Sequence, residues 1–320
     1  MIEDNKRVLT LLAEGSITAE EAERLLAALG EAPDDAGPSD EESDAAPSRP
    51  ERIRVDLDLE SDERTEKNHD DTFTIGGSPT LIVETFNGRI EIEGDGPADS
   101  IRVRAEIRNP GRVDYRVVQD GDTVRVVARA THKHSILRHF GFNRGARIRV
   151  TVPRTCAIQA KSSNGRLNVK DVTGDAKLRS SNGRISLEGV EGVVDASTSN
   201  SRINVVRVVG DVTLHTSNGR IEIDEGRGSI DAETSNGAIS YKGEMLAGSH
   251  RLKTSNGAIA VELLGEPSVK LEASTSNGSV TCERPFLTRG MSNKNRLEGT
   301  IGAGEATLTL RTSNGSVTVA

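Results

Sequence analysis

One five-residue phrase, Ser-Asn-Gly-x-Ile, returns through the second half of the chain and constrains everything else. Its asparagines are Asn164, Asn182, Asn200, Asn218, Asn236, Asn256, Asn277 and Asn314. The intervals run 18, 18, 18, 18, 20, 21 and 37. The last reads as two units, with a degraded copy near Asn295, and Asn87 is an outlying copy. Three residues after each asparagine stands an aliphatic residue, from Leu167 and Ile185 to Val280 and Val317. Five after stands a second column, from Val169 and Leu187 to Cys282 and Val319. Two residues apart, the columns point to one face of a strand. Four before each asparagine, Ala160, Leu178, Ala196, Leu214, Ala232, Leu252, Ala273 and Leu310 alternate small and large. Direct stacking of like positions favours that alternation, because each Ala makes room for its neighbour's Leu.

The pattern predicts a mainly β protein, a β-solenoid of coils of about 18 residues with two short strands each. About nine coils at ~4.8 Å per coil would span about 43 Å, the asparagines forming a ladder of amides. Asn-Gly is also the strongest two-residue hairpin signal, so an antiparallel meander competes. The fixed period and the Ala/Leu alternation favour the solenoid over it.

Residues 148–320 carry the repeats, and residues 51–147 read as a β-rich first part or cap. Within the latter, Ile53, Val55, Leu57 and Leu59 alternate as a strand. The charged stretch 60–71 reads as a loop, and strands are expected around Leu81–Thr85, Ile101–Ala105 and Val124–Ala128. Residues 1–30 predict a small α-helical hairpin. Leu9, Leu11 and Leu12 form one apolar face, Thr18 and Glu21 a capping box, and Leu25, Leu26 and Leu29 a second stripe. So small a pair buries little and should dock on a partner or another copy, through Leu9, Leu12, Leu25, Leu26 and Leu29. Residues 31–50, rich in Pro, Asp, Glu and Ser, read as a disordered acidic linker.

Charge is polarised: the net charge of −8 divides into −14 over residues 1–79, +3 over 80–147 and +3 over 148–320. No apolar run approaches the ~20 residues of a membrane span, and the first residues lack a signal-peptide pattern. The cytoplasm is therefore the expected compartment, with membrane-peripheral or cell-surface placement left open. Cys156 and Cys282 have no metal or framework spacing and read as reduced thiols.

With those residues in view, the Thr-Ser-Asn-Gly-x-Ile repeats, preceded by Val150-Thr151-Val152-Pro153, resemble an adhesin-like bacterial β-strand-repeat family, a domain of unknown function. The hairpin, Glu14-Gly15-Ser16-Ile17-Thr18-Ala19-Glu20-Glu21-Ala22 followed by Leu25-Leu26, resembles the short helical module opening LiaX/YvlB-type proteins. The resemblance implies a non-enzymatic protein linked to cell-envelope stress, at the cell surface in some members, and it supplies no catalytic residues.

Two surface features are candidates for binding. Arg166, Arg184, Arg202 and Arg220 recur two residues after their asparagines, with Arg89 in the outlying copy; later coils carry Ala238, Ala258, Ser279 and Ser316 there. Stacked guanidinium groups ~4.8 Å apart repel by about 0.9 kcal/mol even in water. Glu188, Glu222 and Asp224 on the same strands are expected to offset this, which leaves a solvated face with local ion pairs as the plainer reading. The functional reading is an anion-binding stripe for a lipid headgroup or acidic polymer, or a surface that the acidic arm covers. The second feature is the segment 131–147, with Lys133, Arg138, Phe140, Phe142 and Arg144. It suits a membrane or partner contact, although a connector capping the open end of the core is the plainer reading. His132, His134 and His139 fit no standard metal spacing.

No metal, cofactor or catalytic group is expected. Ser repeated in every unit without a His–Asp partner is no nucleophile, and the Ser and Thr residues read as turn formers. The sequence points to a non-catalytic interaction or scaffold protein that associates with a protein partner or itself through residues 1–30. Anionic lipid or polymer is the candidate ligand. The alternative, a polysaccharide-active β-helix enzyme, would need three carboxylates converging within ~10 Å. Nucleic acid is not expected, because the basic excess is small and lacks interleaved aromatics.

Overall fold

A computed structural model describes residues 66–131, 145–288 and 292–320. The expected helical hairpin, acidic linker, Ile53–Leu59 strand and the candidates Lys133, Arg138, Phe140, Phe142 and Arg144 lie outside the described residues.

Each repeat makes one coil of two strands joined at the Asn-Gly turn. In one, Ala176–Ser180 leads to Ile185–Glu191; in the next, Val194–Thr198 leads to Ile203–Val209. Like strands pair in parallel and in register, Leu178 beside Ala196 and then Leu214, and Ile185 beside Ile203 and then Ile221. The chain is therefore a solenoid and not a meander. Two sheets of 12 and 13 strands result, with ten parallel coils between them among the described residues. One continuous core of Ile, Val, Leu and Ala lies between the sheets.

Inside four successive coils, alternation is interrupted once. Asp171, Gly189, Arg207 and Glu225, again 18 residues apart, adopt a left-handed backbone with φ between 53° and 64°. The parallel register passes from Glu188–Val206 to Val190–Val208 across this residue. A single extra residue re-phases the strand, so that Val190 and Val208 turn into the core. The second corner of the coil is a glycine column, Gly174, Gly192, Gly210 and Gly228, at φ 128–143°.

Both ends of the stack depart from sequence order. The coil Thr80–Thr85 and Gly88–Gly96 lies between two that follow it in sequence: Ala157–Ser162 with Arg166–Lys170, and Thr123–Ala130 with Gly145–Pro153. At the other end, Ala306–Asn314 and Val317–Val319 slot between Gly248–Thr254 with Ile259–Leu263 and Val269–Asn277 with Val280–Cys282. The 37-residue interval is thus not two units in series. Asn314 stands between Asn256 and Asn277 in the ladder. Asn295 is not a degraded copy: it lies in the turn before the antiparallel strand Arg296–Ile301, its amide donating to the Ser276 carbonyl. The Ala/Leu alternation breaks at this insertion, where Leu252 lies beside Leu310.

Antiparallel strands cover the ends. Ser100–Arg108 covers Gly145–Pro153, and Val113–Asp120 covers Thr123–Ala130. Outermost is Glu66–Thr74, so residues 66–71 are strand and not the expected loop. Neither face of that strand is buried, and a polar edge strand leaves no hydrophobic alternation to read.

Candidate functional site

In the 12-stranded sheet the arginine of each coil directly precedes an inward Ile or Leu, so its side chain must point outward. Arg89 is in register with Arg166 on one side and Arg147 on the other. The carbonyls of Arg184, Arg202 and Arg220 accept from the amides of Leu167, Ile185 and Ile203 at 2.9, 3.2 and 3.0 Å, which carries the same register onward. The column is thus Arg147, Arg89, Arg166, Arg184, Arg202 and Arg220, and then Ala238 and Ala258. Arg147 sat with a different basic segment in the sequence, and only the stacking of a later coil ahead of Gly88–Gly96 brings it here.

The column is neutralised at its ends and bare in its middle. Arg147 meets Glu106 at 3.4 Å, Arg89 meets Glu91 at 3.0 Å, and Arg220 meets Glu222 at 3.2 Å. Among the described residues, Arg166, Arg184 and Arg202 have no ion pair and are exposed. The expected offset by Glu188 fails, because Lys170 takes that carboxylate at 3.0 Å and Arg207 at 2.8 Å. Those two hydrogen bonds, Lys170 first, hold the Glu188 carboxyl below its usual range. Asn168, Ser186 and Asn204 occupy the next outward position on the three bare coils. Glu91 differs: burial pushes its carboxyl up, and hydrogen bonds from Arg89 and Arg149 outweigh this and leave it lowered.

The 13-stranded sheet follows another rule. There several adjacent strands set opposite charges side by side, Arg179 with Asp195 at 2.6 Å, Arg251 with Asp231 at 3.0 Å and Lys253 with Glu233 at 2.7 Å, while Lys161 lies beside Arg179 and Arg311 beside Lys253. Even the outer column of the arginine sheet pairs Lys242 with Glu262 at 3.0 Å.

Beside the arginines runs the asparagine ladder, as expected. Each Nδ2 donates to the Oδ1 of its neighbour, from Asn164 to Asn87 at 2.8 Å through to Asn277 to Asn314 at 2.8 Å. One hydrogen of each amide is used, and the exposed asparagines keep the other for solvent or ligand. The preceding hydroxyls prove more than turn formers. Thr198, Thr216 and Thr234 are buried and donate to the carbonyls of Gly183, Ser201 and Gly219 in the coil before, at 3.2, 3.1 and 2.9 Å.

Where the column changes from arginine to alanine, the same face sinks into an open trough of about 730 Å³. Glu222, Asp224 and Glu262 are among its walls, and Ala238, Ala258 and Ala260 among the small residues lining it. Glu222 and Glu262 are each held by a cation, Arg220 and Lys242. Among the described residues no three His, Cys, Asp or Glu side chains are placed to hold a metal ion. Cys156 and Cys282 are free thiols; burial pushes the Cys156 thiol up to about 12. No helix among the described residues is long and apolar enough to cross a membrane.

Comparison with known proteins agrees with this architecture. No curated protein matches the chain. A candidate adhesin from Bacteroides fragilis is 11% identical, over 79% of this chain and 97% of its own, with a TM-score of 0.45. A candidate cell adhesion protein from Clostridium sporogenes is 11% identical, over 79% and 99%, with a TM-score of 0.24. At that level of overlap neither bears on activity. Residues 4–34, which overlap the expected hairpin of residues 1–30, match a SHOCT-like domain. Residues 81–320 match the Toastrack DUF4097 family model, which spans three-quarters of the sequence and takes in every stacked coil. The chain belongs to the Toastrack DUF4097 family.

Proposed function

We propose that this protein is a non-catalytic binding scaffold of the bacterial cell envelope, engaged during envelope stress. The observation behind this reading is the pair of long outward sheet faces, whose strands are fixed by uninterrupted ladders of backbone and asparagine bonds. Such faces offer a ligand many evenly spaced groups at no cost of reorganisation. Residues 1–30 supply the second contact, to a protein partner or another copy.

A second reading has one observation in its favour. Glu222, Asp224 and Glu262 share a trough, and clustered carboxylates can serve glycoside cleavage. Against it, Glu222 and Glu262 are engaged by cations, and the sole aromatic in the trough lining, Tyr241, is buried with its hydroxyl bonded to the Gly226 and Glu244 carbonyls.

Sedimentation of the full chain with purified bacterial sacculi and with envelope membrane vesicles tests both readings. The scaffold reading expects saturable co-sedimentation and no soluble saccharide released over time. Release that scales with protein and time, and is abolished by Glu222→Gln or Glu262→Gln, would replace it with the enzyme reading. Failure to sediment with either preparation would reject the envelope assignment.

A further inference from the structure

Resting on the scaffold reading, we propose that Arg166, Arg184 and Arg202 form a track for a linear, phosphate-bearing polymer, which lies across the strands along the stacking direction. The first support is a broken rule. At many other positions on both sheets, neighbouring coils set opposite charges side by side, as Arg179 does with Asp195 and Lys242 with Glu262. Among the described residues, like cations meet elsewhere in pairs, Lys161 beside Arg179, Arg311 beside Lys253 and Arg104 beside Arg149, and one member of each pair is held by a carboxylate. The arginine column runs six deep, and its three middle members have no carboxylate partner among the described residues. A merely solvated face has no need of that self-repulsion, and an anionic ligand removes it.

The second support is residue choice. All six positions of the column are Arg, never Lys, although Lys serves as the cation elsewhere on the face at Lys170 and Lys242. The guanidinium fork suits planar, two-pronged recognition of an oxyanion. At a pitch of ~4.8 Å a tetrahedral phosphate can bridge the forks of two adjacent coils. Asn168, Ser186 and Asn204 add neutral donors on one flank, and the second amide hydrogens of the asparagine ladder lie near the other.

Width separates a polymer from a membrane. The track is one column wide and bounded by Glu91, Glu188 and Glu222. A plane of anionic headgroups resting on this face would also cover those carboxylates and the cations they already engage. A single polymer strand need touch only the column.

The test is binding of the full chain to inorganic polyphosphate across a salt titration, beside phosphatidylglycerol vesicles. Three phosphate contacts predict a log–log salt slope of about −2 to −3. The variant R166Q/R184Q/R202Q should bind about 100-fold more weakly, with a slope near zero. The Lys triple variant keeps the charge, loses the fork and should fall about 10-fold. All these side chains are exposed, and an unchanged melting curve confirms the fold. The control K161Q/K177Q/R311Q removes the same charge from the opposite sheet and should stay within about threefold of the parent. The track is overturned by a parent that ignores polyphosphate, by a control that loses as much as the arginine variant, or by vesicle binding that alone depends on the three arginines. Loss of the track with sacculus sedimentation intact would leave the scaffold reading standing.

Discussion

At the scale of the residue, the repeat is a set of columns, each with one physical task. The inward Ile and Val columns supply the core, and the threonine before Ser-Asn-Gly ties each turn to the coil before it. Thr216 is 0% exposed and donates to the Ser201 carbonyl at 3.1 Å. Thr216→Val keeps the shape and strands that carbonyl, so it should cost about 1–2 kcal/mol in chemical denaturation, and Thr216→Ser clearly less. The corner glycines are steric as well as conformational. A Cβ on Gly210, at φ 128°, would stand 2.2 Å from the Gly192 carbonyl oxygen, so Gly210→Ala should destabilise by more than about 2 kcal/mol. Glu225 has the opposite sign. It holds φ 53° without need of its side chain, and Glu225→Gly should stabilise by about 0.5–1 kcal/mol in the same measurement.

At the scale of the element, the last coil is an interior part although it ends the chain. Leu310 packs in register between Leu252 and Ala273, and Val317 between Ile259 and Val280. Repeat stacks gain stability chiefly from nearest-neighbour interfaces. Truncation after Gly304 removes two such interfaces and parts the coils on either side. Amide exchange should then become fast across residues 248–301 while the coils from Arg166 to Arg227 stay protected. An ordinary terminal coil would fray alone. Leu310→Ala, a milder cut at the same place, should cost about 2–5 kcal/mol.

At the scale of the molecule, stability rests on one apolar core, and the ion-paired carboxylates lie outside it. Glu91 and Glu188 have lowered carboxyl values in the fold, held there by arginine and lysine. A lowered value means that the ionised form is bound more tightly folded than unfolded. The stability it adds is present above the unfolded value near 4.5 and is lost as pH falls through the folded one. Melting followed from pH 6 to pH 3 should therefore drift downward by a few degrees and not collapse, because exposed pairs are worth little each. Molar salt at pH 7 should produce a smaller shift in the same direction.

The coil is legible in the sequence pattern. A period of 18, two inward columns and an Asn-Gly corner leave a stacked parallel strand pair as the arrangement that buries every aliphatic residue at once. The Arg89, Arg166, Arg184, Arg202 and Arg220 positions were legible for the same reason, since a residue next to an inward Ile must face outward. The left-handed Asp171–Gly189–Arg207–Glu225 column and the second glycine corner carry the same 18-residue signal. In sequence they are masked, because a re-phased strand looks like a lapse in alternation. The order in which coils stack emerges only when the chain is folded. Any coil of matching width can lie on any other, so local pattern cannot say that Ala306–Val319 enters between two earlier coils or that Arg147 precedes Arg89. The bare middle of the arginine column was likewise hidden. Glu188 lies on the right face, but its partner was settled by the lateral reach of Lys170 and Arg207, a distance that exists only once the coils are stacked.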